Sequence, residues 1–288
     1  MKRLFAIIFA IILLSSFVSA VDELVIKGID VEVDGDRDRR ADETGGTIKV
    51  KPGSEVEIDI KLENIFDKDT DEDINDIDVI GTIADIDDGD DLEEELDIFD
   101  LSPGHSNRDK MKFQIPYKVE DKSYELVLAV TAESDNGTDY DFELKFDIDI
   151  DKERHELIMR YFDLAPAVVE CERDITGDFT ILNIGKEDED DVKIEVLAPS
   201  FDYYFTDNFS FVRDPYDSDA EYSKRFMLNA TGVTPGIYQV EARAKYGSRT
   251  LSEKKTISVG ECASAPTTPA TPTTPEPTTP ASSTTVEP

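Results

Sequence analysis

The chain has 288 residues, 66 of them acidic and 30 basic, for a formal net charge of −36. Phosphate backbones are bound by Lys and Arg that displace counterions, so this balance argues against nucleic acid and points to cations or basic surfaces as partners. Two His, two Cys and no Trp leave little material for His-based catalysis, a thiolate metal site or a Trp-lined sugar cleft.

Lys2 and Arg3 open the chain, and the eleven residues from Leu4 to Leu14 are apolar. Val18-Ser19-Ala20 then supplies small residues at cleavage spacing. This is the pattern of a secretory signal peptide over residues 1–20, with an apolar core too short to span a bilayer. Cleavage after Ala20 removes both cations, takes the net charge to −38 and leaves a mature chain without a membrane span. Beyond it the apolar residues alternate with charged ones. Val56, Ile58, Ile60 and Leu62 interleave with Glu55, Glu57, Asp59 and Lys61, and Tyr140 to Ile150 repeats the pattern. Period two with one charged face predicts strands of a sheet that is wet on one side. Similar runs cover 24–33, 77–83, 111–115, 124–130, 179–184, 192–196, 237–244 and 250–259. Lys51-Pro52-Gly53, Ser102-Pro103-Gly104, Asn136-Gly137 and Thr234-Pro235-Gly236 punctuate them as turns. Many short strands with no helical period between them predict an all-β chain of β-sandwiches.

A weak internal repeat divides these strands into two units. Asn64 and Asn183 each close an apolar strand, and Tyr124 and Tyr238 open a later one, 60 and 55 residues further on. The expected domains are 21–151 and 152–262, with the junction near Asp151–His155. Residues 263–288 hold seven Pro and nine Thr, a composition that builds an extended stalk or linker rather than a core. The acidic excess is uneven, with a net of −28 in 21–151 and −8 in 152–262. General adaptation to salt would load both alike, so the excess points to a local role.

Two acidic stretches are candidate sites for Ca²⁺ or another hard cation, which needs six to eight oxygens on a flexible loop. One carries Asp34, Asp36, Asp38 and Asp42, the other Asp87, Asp88, Asp90 and Asp91. Solvated acidic loops are the competing reading, and neither stretch matches an EF-hand. Export makes a Cys171–Cys262 disulfide the expected state of the two cysteines. Asn136, Asn208 and Asn229 head Asn-X-Ser/Thr sequons, candidate glycosylation sites in an exported protein. No catalytic residue emerges. Gly104-His105-Ser106 lacks the second Gly of a nucleophile elbow. His155 falls in the junction without a second His for zinc. Phe201, Tyr203, Tyr204, Phe205, Phe209, Phe211 and Tyr216 cluster aromatics in the second unit, as core or as a binding surface.

Gly46 to Gly53, the acidic run Ile86 to Glu94, Ser134 to Thr138, Leu182-Asn183-Ile184-Gly185 and Thr234 to Tyr238 together resemble archaeal exported S-layer-like proteins. The resemblance implies tandem immunoglobulin-like, CARDB-type domains and a cell-envelope, structural or adhesive role with no catalytic residues. The expected partners are other cell-envelope proteins or polysaccharide, with divalent cations as stabilisers. A secreted polysaccharide- or protein-binding module is the alternative, and an extracellular carboxylate hydrolase a remoter one.

Overall fold

The computed structural model describes residues 23–171 and 173–261. The signal-peptide region, Cys262 and the Thr/Pro tract lie outside the described residues. The chain forms two immunoglobulin-like β-sandwiches in tandem. The first contains β1 (Leu24–Val33), β2 (Asp36–Asp38), β3 (Ala41–Asp42), β4 (Gly45–Val50), β5 (Glu55–Asn64) and β6 (Ile74–Asp87). It continues through β7 (Asp90–Glu95), β8 (Phe99–Leu101), β9 (Ser106–Gln114), β10 (Ser123–Ser134) and β11 (Asp139–Ile150). The second contains β12 (Leu157–Ala165), β13 (Val168–Val169), β14 (Asp174–Asn183) and β15 (Glu189–Ala198). It ends with β16 (Tyr203–Phe211), β17 (Glu221–Asn229), β18 (Gly236–Tyr246) and β19 (Arg249–Val259).

The two units share one strand order. The smaller sheets run β1-β5-β9, with β2 on the edge, and β12-β14-β17. The larger sheets run β4-β11-β10-β6-β7 and β13-β19-β18-β15-β16. In both, the strand at one side pairs in parallel with its neighbour while the other ladders are antiparallel, β13 at the edge of its sheet and β4 with the two-residue β3 beyond it. Each unit buries the alternating apolar set of its strands between its two sheets. Ile58, Phe113, Leu126 and Ile148 are fully enclosed in the first core, and Phe179, Ile194 and Val240 in the second. Enclosing each such side chain stabilises the fold by about 1.5–3 kcal/mol.

The repeat seen in the sequence has a physical basis. Asn64, fully buried, donates Nδ2–H to the carbonyls of Glu72 and Leu101 and accepts from the Phe66 N–H. Asn183 does the same in the second unit, donating to Glu187 and Val212 and accepting from Gly185. Each ties the loop after its strand to a second loop. The tyrosines also correspond. Tyr124 Oη accepts from the N–H four residues back, at Glu120, and Tyr238 Oη donates to the carbonyl four residues back, at Thr234.

The junction between β11 and β12 is short and charged. Lys51 pairs with Glu153, Lys118 with Glu221, and Lys186 with Asp121 and Asp151. Lys152 is 4% exposed there, and burial lowers its pKa against the opposing pull of Asp121, Glu120 and Asp214. Tyr216, from the loop after β16, donates Oη–H to the Ile86 carbonyl and accepts from the Asp88 N–H. The second unit thus grips the β6–β7 hairpin of the first.

Candidate binding face

Both acidic stretches proposed as cation loops are β-hairpins. Asp34-Gly35 and Asp88-Gly89 adopt positive φ at both residues, 53° and 82° in one and 53° and 89° in the other. That is the geometry of a tight two-residue turn, for which Asp-Gly is a preferred pair. The carboxylates then serve their own backbone. Asp34 accepts from Ser54 Oγ and the Glu55 N–H, Asp38 pairs with Arg40, and Asp42 accepts from Thr44. Asp91 accepts from the Asp85 N–H. Asp36, Asp87, Asp88 and Asp90 are exposed on the turns and their flanks. Period-two backbone throws successive side chains to opposite faces, so alternation in sequence spreads them along strands instead of wrapping one ion. Among the described residues no group of three or more Asp, Glu, His or Cys is placed to hold a metal ion.

The other candidates are also located. Cys171 is disulfide-bonded, and the sequence contains one further cysteine, Cys262, outside the described residues. The parallel β13–β19 pair and the bond from the Gly260 N–H to the Val169 carbonyl carry the chain on either side toward that bridge. Asn136, Asn208 and Asn229 are all exposed. Gly104 and His105 form a turn that leads into β9, with no helix after it. His155 Nδ1 lies 2.9 Å from Glu189 Oε1 in the junction.

The aromatic cluster divides. Phe201 and Phe211 are buried, and Tyr203, Phe205 and Phe209 pack partly against the core. Tyr216 belongs to the junction. Tyr204 alone turns its ring outward, at 57% exposure.

Tyr204 stands on the outer face of the larger sheet of the second unit, and this face differs sharply from its counterpart in the first. In the first unit β11 presents Asp139, Asp141, Glu143, Asp147 and Asp149 outward. Glu125 and Glu133 of β10, Asp78 of β6, and Glu93 and Glu95 of β7 join them. Against these ten carboxylates stand Lys145 and Lys49. In the second unit the same face carries Lys193, Arg243, Lys245 and Lys254 against Glu195 and Glu241. One face is thus strongly acidic. The other carries two more cations than anions, within a unit whose net charge is −8.

Glu195 organises the second face. Its carboxylate, 3% exposed, lies 2.8 Å from Lys193 Nζ, 2.7 Å from Arg243 Nε and 3.0 Å from Lys245 Nζ. The Tyr204 hydroxyl donates to it at 2.9 Å. Hydrogen bonding from Lys193, then from Arg243, Lys245 and Tyr204, overcomes the cost of burial and holds the Glu195 carboxyl far below the usual carboxylate range. One buried anion therefore fixes three cations and one aromatic ring, leaving the ring's face presented in a set orientation. Beside it an open groove of about 510 Å³ is lined by Leu197, Pro199, Tyr203, Tyr204, Gln239 and Lys254, together with the carboxylates of Asp202 and Glu241. Ser252 donates its hydroxyl to Glu241. Lys254 makes no ion pair among the described residues.

No protein-family model and no curated protein matches the sequence. Among solved structures, similarity extends to a red sea bream transglutaminase, at 6% identity and a TM-score of 0.26 over 83% of this chain and 32% of that one. The chain thus spans about a third of the transglutaminase's length. CBD12 from CALX1.2 gives 9% identity and a TM-score of 0.25, over 71% of this chain and 80% of that one. The calcium-binding domain CBD12 of CALX1.1 gives 11% and 0.28, over 70% and 78%. At these scores the fold rests on the strand pairings described above.

Proposed function

We propose that this is a non-enzymatic, exported structural or adhesion protein of the cell envelope, S-layer-like in role, whose second unit makes the working contact. The observation that carries this reading is the outer face around Tyr204. It combines a ring held at its hydroxyl, an open groove and fixed cations on a rigid sheet. Pre-ordered side chains lose little entropy on binding, which favours a contact surface. The apolar run at the amino terminus and the three exposed sequons support an extracellular setting. The partners this face suits are envelope proteins or polysaccharide. Divalent cations enter as mobile counterions of the acidic face of the first unit, where they relieve repulsion without a dedicated cage.

Two measurements test the reading. A tagged full-length chain in its own host is expected at the cell surface, and retention in the cytosol would overturn the proposal. Mature protein is expected to co-sediment with purified envelopes, and Tyr204→Ser to weaken that binding about tenfold, as the loss of one aromatic anchor does. Envelope binding unchanged by Tyr204→Ser would remove this face from the function.

A further inference from the structure

The two larger sheets share a strand order and carry opposite charge on their outer faces. We infer that the cationic outer face of the second unit docks on the acidic outer face of the first unit in another copy of this chain. This rests on the proposed contact face and names its partner.

Three observations favour a second copy. First, the first unit does neutralise one of its sheets. On β9, Arg108 pairs with Asp30 and Asp59, Lys110 with Glu57, and Lys112 with Glu55 and Glu57. Its larger sheet has no such strand, and its carboxylates are left to Lys49 and Lys145. Second, the acidic face has a less polar centre, where Val127, Ala129 and Ile80 stand in adjacent rows, half-buried between the carboxylates. The opposing face supplies Leu197 and Tyr204 beside its cations. Third, eight of the ten carboxylates of the acidic face are exposed in the single chain, so its own second unit leaves that face open to another molecule.

The size of the face sets the strength. Four strands about 4.8 Å apart and about 30 Å long present roughly 570 Å². Two such faces bury about 1,100 Å², at the low end of specific interfaces, so the association is weak. Because the contact joins two different faces, it is head-to-tail and builds a row of copies unless the rotation closes. Salt acts in two senses. At about 0.01 M ionic strength the Debye length is ~30 Å and whole molecules of like charge repel, while at about 0.15 M it falls to ~8 Å and the local contacts outweigh that repulsion.

Sedimentation of the mature chain over a concentration series tests this. The weight-average sedimentation coefficient is expected to rise with concentration at about 0.15 M salt and to fall back at about 0.01 M. Lys254→Glu with Thr256→Glu reverses the charge of the second face without touching Glu195, and is expected to give a monomer. Replacing Asp141, Glu143, Glu93, Glu95 and Glu125 together by Lys reverses the charge of the first face in the same way. Mixing these two monomeric variants restores one complementary pair of faces and should give a heterodimer. A wild-type chain that stays monomeric throughout, or two variants that do not associate when mixed, overturns the inference. If the wild type is monomeric yet Lys254→Glu with Thr256→Glu still loses envelope binding, the contact face stands and its partner is another molecule. If both association and envelope binding survive the substitutions, the contact face itself falls.

Discussion

The two sandwiches share a strand order, an Asn clamp and a tyrosine bonded four residues back, yet their larger sheets face solvent with opposite chemistry. The first leaves ten carboxylates with two lysines, whereas the second gathers three cations on one buried glutamate. Shared topology thus sets the shape of a face and leaves its charge to the outward residue of each alternating pair. Inward positions are constrained by packing and outward ones are free, so the two copies of the fold diverge where function can lie.

Perturbations that act on one unit at a time sharpen this comparison, and the largest should come from the disulfide. Cys171→Ser opens a loop of roughly 90 residues and should cost the second unit about 4 kcal/mol. Calorimetry should then show the second unit melting earlier while the first is unmoved. Joint loss of both transitions would mean that the units do not fold independently. Next are the clamps. Asn64→Ala and Asn183→Ala each leave two carbonyls and one N–H without this partner, at about 2–4 kcal/mol. Each is expected to lower only its own unit, and urea unfolding followed unit by unit checks it.

Glu195→Gln should cost less, about 1–2 kcal/mol, because the three cations remain 26–45% exposed and water screens them. Its pH dependence is diagnostic. The folded-state pKa of Glu195 lies below its unfolded value, so its stabilisation is fully present above about pH 4.5 and is lost as pH falls toward the folded-state pKa. The gap between wild type and Glu195→Gln should therefore close on acidification. A gap that is constant with pH would mean that shape, and not charge, carries the effect. The smallest expected effect is that of salt. Raising ionic strength from about 0.01 to 0.5 M should stabilise the first unit by about 1 kcal/mol and leave the second nearly unchanged, since like charges on the first face repel.

The charged-apolar alternation made most strands legible, because burial between two sheets imposes it directly. It missed those that do not obey it. β7 reads Asp-Asp-Leu-Glu-Glu-Glu and looked like a solvated loop, yet it is an edge strand, where charge is tolerated and discourages pairing with strangers. β12, at the junction, and β17 also escaped notice. In β16 the aromatics fall on both faces, which blurred the period. The hairpin form of the two acidic stretches also had a local signal. Asp-Gly is a preferred pair for a two-residue hairpin turn, and both stretches carry it, at Asp34-Gly35 and Asp88-Gly89.

Composition and pattern by themselves determined the all-β class, the tandem sandwiches and the concentration of acid in the first half of the chain. These follow from local rules, namely period two, turn residues and charge counts. Tertiary structure decided which charges meet. Glu195 lies in an unremarkable run, and only the register of β15 against β16 and β18 brings Tyr204, Arg243 and Lys245 to it. The strand order likewise set one acidic and one cationic sheet in equivalent places. Cross-strand neighbours are distant in sequence, so contacts of this kind become visible only once the sheets are paired.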